Sequence, residues 1–153
     1  MSKLVAEEIS TEIKKLWLIG NVNRVSFIAY SLGGVIIRAA LTYLEEFKSL
    51  FSTYISLATP HMGCFYSGNK LLSLGMWVVN GITRDQLLSE IRLSDENDIK
   101  ETTLYSLSTL KGLDWFKVIV LVGSSQDWYS PLESALIQMS ERINGLSIYN
   151  DLK

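Results

Sequence analysis

Residues 25–39 read Val-Ser-Phe-Ile-Ala-Tyr-Ser-Leu-Gly-Gly-Val-Ile-Ile-Arg-Ala, and few folds accept that order. A short apolar strand runs into a serine within a tight turn of small residues, and an apolar helix follows at once. This is the sequence form of a nucleophile elbow, in which a strained strand-to-helix turn lifts a serine hydroxyl above a parallel sheet. Ser31 is then the candidate nucleophile. The backbone N–H of Leu32, at the positive end of the following helix, is a candidate oxyanion donor. The turn needs small residues two before and two after the serine, because strand and helix backbones approach closely there. Ala29 and Gly33 fill those places. Ser-x-Gly alone is a weak signal, and an ordinary glycine-rich β-to-α turn is the alternative reading.

The rest of the chain repeats the same alternation. Val5, Ile9, Ile13 and Leu16 recur at helical spacing, which predicts an amphipathic helix over residues 3–18. Strands are expected at residues 24–30, 51–58 and 116–122, where apolar, aromatic and β-branched residues concentrate. Helices are expected at 35–47, 69–80, 101–109 and 132–143, with a polar loop at 94–98. Strands that each run into a loop and then a helix imply parallel βαβ units and a doubly wound sheet. The chain is 48% hydrophobic with a mean hydropathy of +0.20, which suits strands buried on both faces between helices. The stretch at 116–122 reads as the clearest buried strand.

At 153 residues a single domain over residues 1–153 is the expectation. The formal net charge of −2 gives no basic footprint for nucleic acid. No apolar run reaches the length of a membrane span, and the charged amphipathic start is unlike a secretory leader. Cys64 is the sole cysteine, so no intrachain disulfide can form and a reducing, cytoplasmic setting is the simpler expectation. Peripheral association with a membrane surface through an apolar patch stays open. No cofactor is expected. Cys64 and His61 stand three apart and make an incomplete metal site, so no metal is expected either.

A serine hydroxyl at neutral pH needs a base within reach and an acid to orient that base. Asp127 lies in Gly-Ser-Ser-Gln-Asp-Trp-Tyr-Ser-Pro, just past the 116–122 strand, where the catalytic groups of open parallel sheets gather. A loop aspartate that caps its own turn is the alternative. His61 is the only histidine in the chain. It precedes Asp127, whereas the order in α/β sheets with such an elbow is serine, acid, histidine. His61 is either the base or a turn residue that bonds loop backbone.

Four ordered segments now carry a resemblance: Ser-Phe-Ile-x-x-Ser-Leu-Gly, Ile-Ser-Leu-Ala-Thr-Pro-His-Met-Gly, Thr-Leu-Tyr-Ser-Leu-Ser and Leu-Val-Gly-Ser-Ser-Gln-Asp-Trp-Tyr-Ser-Pro. Together they resemble the "putative serine esterase" family of lipase-like α/β-hydrolases, from about residue 4 to about residue 143. The resemblance implies a hydrolase of esters or lipids, with Ser31 as nucleophile and Asp127 as acid. It also shows departures. The family elbow usually has Gly and His where this chain has Ala29 and Tyr30. A histidine that follows the acid in the nearest branch, within Pro-x-His-Ser-Ala, is matched here by Glu133, whose ordinary pKa near 4 suits a serine poorly.

Such domains also begin with strands and an oxyanion loop that would precede residue 1. The expected fold is therefore a partial α/β-hydrolase, a parallel sheet with flanking helices and without its N-terminal strands. Loss of one oxyanion donor typically costs about 2.7–4 kcal/mol of transition-state stabilisation. A sheet edge left open invites association. Two functional expectations follow: an impaired serine carboxylester hydrolase acting on lipid or other esters, or a non-catalytic hydrolase-like module that binds a lipid or protein partner. Met76 and Trp77, in an apolar stretch, are candidates to line an acyl pocket or lid, with a plain core helix as the alternative.

Overall fold

A computed structural model describes residues 1–20, 22–64, 84–127 and 129–138. Three parallel strands, β1 (Val25–Tyr30), β2 (Phe51–Leu57) and β3 (Val118–Val122), form a sheet in the order β1-β2-β3. Helix α1 (Ser2–Ile19) precedes β1, and α2 (Leu32–Leu41) leaves it after a single residue. Helices α3 (Arg84–Ile91) and α4 (Thr103–Thr109) lie between β2 and β3, and the short α5 (Leu132–Leu136) follows β3. The chain is thus α/β, with a parallel sheet flanked by helices.

The register sets Tyr30 opposite Leu57 and Leu57 opposite Val122, so all three strands end level. The loops that follow them therefore emerge at one rim. Aromatic packing fixes this arrangement from below. Phe51 stacks on Phe116 at 5.0 Å between ring centroids, and Phe27 meets both edge-on at 5.4 and 5.6 Å. Ala6 and Ile13 of α1, with Ala40 and Leu41 of α2, close over this cluster and over Tyr54 and Ala29.

The structure corrects the expectation of strands buried on both faces. One row of the sheet, Phe27, Ala29, Tyr54 and Leu121, meets the helices. The opposite row is Ile28, Tyr30, Val118, Val120 and Val122, all exposed, with Ile55 and Leu57 half-buried between them. The stretch read as the clearest buried strand lies at the edge of the sheet among the described residues, and most of its residues are exposed. An apolar run reports what a strand can bury, and its neighbours decide whether it is covered.

Other boundaries shift for local reasons. The second helix starts at Leu32, directly on the serine, and stops at Leu41. There Thr42 turns its hydroxyl back onto the Ala39 carbonyl at 2.9 Å, and residues Glu45–Leu50 form a separate 3-10 turn. Thr102 caps α4 by accepting from the Tyr105 amide, which trims the helix expected from residue 101. Ile137, in the left-handed region at φ 52°, ends α5, five residues into the helix expected over 132–143. Helix α3 falls where the sequence suggests no element. The helix expected at 69–80, with Met76 and Trp77, lies outside the described residues.

Candidate active site

Ser31 is the single residue between β1 and α2, with φ 52° and ψ −131°. A non-glycine residue at positive φ is strained, on the order of 1–3 kcal/mol, and survives only where its surroundings hold it. The Ser31 amide donates to the Leu57 carbonyl at 2.8 Å, and the Ser31 carbonyl accepts from the Gly34 amide at 3.1 Å. The backbone is thereby pinned between the central strand and the first turn of α2. The Ser31 side chain makes no capping hydrogen bond, so its hydroxyl is not consumed by the helix it precedes. The amides of Leu32 and Gly33 open that helix, where N–H groups have no intrahelical acceptor. An oxyanion at this point would meet those donors and the positive end of α2.

The close approach expected beside Gly33 occurs one residue later. A Cβ on Gly33 would meet nothing within 4 Å, whereas a Cβ on Gly34 would lie 2.6 Å from Cγ2 of Thr59 and closer still to its hydroxyl oxygen. Thr59 is fully buried. Tyr54 donates its hydroxyl to the Gly34 carbonyl at 3.1 Å, so Gly34 is fixed from two sides. Gly34→Ala is expected to lower stability by about 1–3 kcal/mol through overpacking. Thermal unfolding of the variant beside Gly33→Ala separates the two glycines.

The loop after β2 is the second part of the rim. Ala58 continues the sheet by donating its amide to the Val122 carbonyl at 2.8 Å, but at φ 49° it turns the chain away. Thr59, His61 and Cys64 are buried. Gly63 sits at φ 91°, where a Cβ would lie 2.7 Å from the Ile91 carbonyl. The Met62 amide donates to the Ser134 hydroxyl at 3.0 Å, and the Cys64 thiol donates to the Tyr129 carbonyl at 2.8 Å. Loop, α5 and the segment after β3 are therefore one packed unit.

His61 lies inside that unit. Its Nδ1 is 3.3 Å from Nη1 of Arg38, and its Nε2 is 2.8 Å from the Ser56 hydroxyl. Arginine has no acceptor, so Nδ1 is the accepting nitrogen and Nε2 carries the proton toward Ser56. Burial, and next the positive Arg38, push the imidazole down to about 3. The ring is thus neutral at pH 7, with its lone pair already engaged by a guanidinium. It bonds two side chains, where a turn histidine was expected to bond loop backbone.

Arg38 also donates to the His61 carbonyl at 3.1 Å and to the Leu107 carbonyl at 3.5 Å. The cation therefore ties α2 to the loop and to α4. Ser56, Arg38 and Gly34 were missed in the sequence, although signals exist. Arg38 is a lone charge in an apolar helical run, and Ser56 is a polar residue on the buried row of β2.

Asp127 stands past β3 at the same rim. Its Oδ1 accepts from the Tyr129 amide at 2.8 Å and the Ser130 amide at 3.1 Å, which closes the turn before Pro131. Burial, and then the negative Asp127, push the Cys64 thiol up to about 12, which disfavours the nucleophilic thiolate. Among the described residues, no hydrogen bond joins Ser31, His61 and Asp127. The topology brings their three loops to one rim, but His61 is bonded to Arg38 and Ser56, and Asp127 to its own turn. Glu133, at the place of the histidine in the resembling branch, is half-buried in α5.

A serine held at positive φ between a parallel strand and a helix is the arrangement of α/β serine hydrolases. Comparison with known families agrees. The family model described as "Putative serine esterase (DUF676)" matches residues 1–141, and the chain belongs to that family. No solved structure matches it.

Proposed function

We propose that this chain is an ester-hydrolysing domain in which Ser31 is the nucleophile and turnover is impaired for want of an imidazole base. The observation that carries the reading is the strained backbone of Ser31, φ 52°, pinned by the Leu57 carbonyl. Backbone strain of this kind clusters at active sites. The Leu32 amide is the oxyanion donor, and Asp127 occupies the position of the acid, two strands from the serine. The ester in this reading is of lipid or lipid-like type; the family description supports an ester and names no substrate.

His61 has its accepting nitrogen on Arg38 and its proton on Ser56, so it is a structural residue in this reading. Proton removal from Ser31 then falls to water and hydroxide. A triad that lacks one member still retains catalysis of about 10³–10⁴ over water from oxyanion donors and binding. The same locked imidazole favours a second reading, a module that binds an ester or lipid without turning it over.

Hydrolysis of a short p-nitrophenyl ester separates the two. The impaired enzyme gives turnover that Ser31→Ala removes and that climbs about tenfold per pH unit from pH 6 to 9. It shows no plateau near pH 6.5, because no imidazole titrates there. Turnover equal in wild type and Ser31→Ala selects the binding module.

A further inference from the structure

We infer that the cavity beside Arg38 is a binding site for an amphiphilic monocarboxylate. The cavity has a volume of about 320 Å³ and lies where α2, α4 and the segment before β3 meet. Arg38 is seven residues along α2 from Ser31, about 10 Å at 1.5 Å per residue, so this site is distinct from the serine.

The lining has two characters. Leu107, Leu110 and Leu113 supply apolar wall, and Arg38, Lys111 and Asp114 supply charge. Arg38 is the unusual member. Each of its three hydrogen bonds goes to a neutral acceptor, His61 Nδ1, the His61 carbonyl and the Leu107 carbonyl. Among the described residues it forms no ion pair; the three ion pairs all join surface lysines to glutamates. A charge withdrawn from water is normally paired, and here the missing counter-charge adjoins an open cavity.

Donor arithmetic and charge select the ligand. Three of the five N–H groups of the guanidinium are used, which leaves Nε–H and one hydrogen on Nη2, donors along one edge that suit the two oxygens of a carboxylate. Lys111 is exposed and makes no ion pair among the described residues. Asp114 is engaged through Oδ1 by the Gly112 amide at 2.8 Å and adds one negative charge. The three lining side chains therefore sum to +1, which favours an anion, and inorganic phosphate has no hydrocarbon part to cover the leucines. The leucines give the hydrocarbon part of the ligand a surface to cover.

The test is calorimetric titration of the Ser31→Ala chain with octanoate, octanol and inorganic phosphate, so that ester chemistry plays no part. Octanoate is expected to bind and octanol and phosphate to fail. Lys111→Glu at the exposed rim is expected to weaken octanoate about tenfold, and Leu110→Trp to block it. Both leave the Arg38–His61 contacts in place, whereas Arg38→Gln removes binding together with those contacts. No binding of octanoate, octanol binding as tightly as octanoate, phosphate displacing octanoate, or unchanged affinity in both rim variants overturns the assignment.

Discussion

Acidification from pH 6.5 to pH 3 is expected to remove about 4–5 kcal/mol of folding stability through His61 alone. In the folded chain the imidazole is pushed down to about 3 by burial and by Arg38, against an ordinary value of 6.5. Between those values the unfolded chain holds a proton that the folded chain refuses, so unfolding takes up a proton and stability falls with falling pH. The contribution is complete above pH 6.5 and is spent near pH 3. Protonation would first bury a charge away from water, and would then set a second cation and a second donor against Arg38.

Urea unfolding at pH 7, 6, 5 and 4 should show little change at first and then a loss that approaches about 1.4 kcal/mol per pH unit below pH 6. Replacement by His61→Gln should remove that slope. Because His61 is the only histidine, its ring resonances offer an independent check. They should stay at the neutral position until the protein unfolds. A ring that titrates near 6.5 in the folded state contradicts the network.

The second large effect is a gain. Glu133→His is expected to raise ester turnover by about 10²–10⁴, the range that a positioned general base contributes. Position 133 follows Asp127 on the same packed unit, and its neighbour Ser134 is held by the Met62 amide at 3.0 Å. The helix that would carry the new imidazole is thus already docked against the rim. The gain should appear with an inflexion between pH 6 and 7 where the wild type rises without one, and Asp127→Asn should abolish it. If Glu133→His folds and its rate equals that of the wild type, α5 does not present position 133 to the serine.

Much of this architecture is legible in the sequence because local chemistry dictates it. The strand–serine–helix order and the apolar runs of β1 and β2 leave few local solutions, and the structure adopts one of them. Burial is where sequence reasoning loses force. Val118–Val122 is as apolar as a central strand, yet the Ile28, Tyr30 and Val120 row is exposed, since cover depends on elements elsewhere in the chain.

The role of His61 was also beyond local reading. Its partners are Ser56 and Arg38, five and 23 residues away. Neither spacing forms a motif, and only the fold brings them together. Gly34 rather than Gly33 proves critical for the same reason, as its constraint comes from Thr59 on another loop. The turn at Ser31 is legible because it is local, and the contacts of the loops around it are not, because they are assembled across strands.

The most direct measurement is fluorophosphonate labelling of the folded chain, with the adduct located by mass spectrometry beside a Ser31→Ala control. The account predicts a single adduct on Ser31, formed slowly at pH 7, faster at pH 9, and absent from the control. A folded protein that takes no adduct at either pH, or takes it on another residue, contradicts the assignment of Ser31 as a nucleophile.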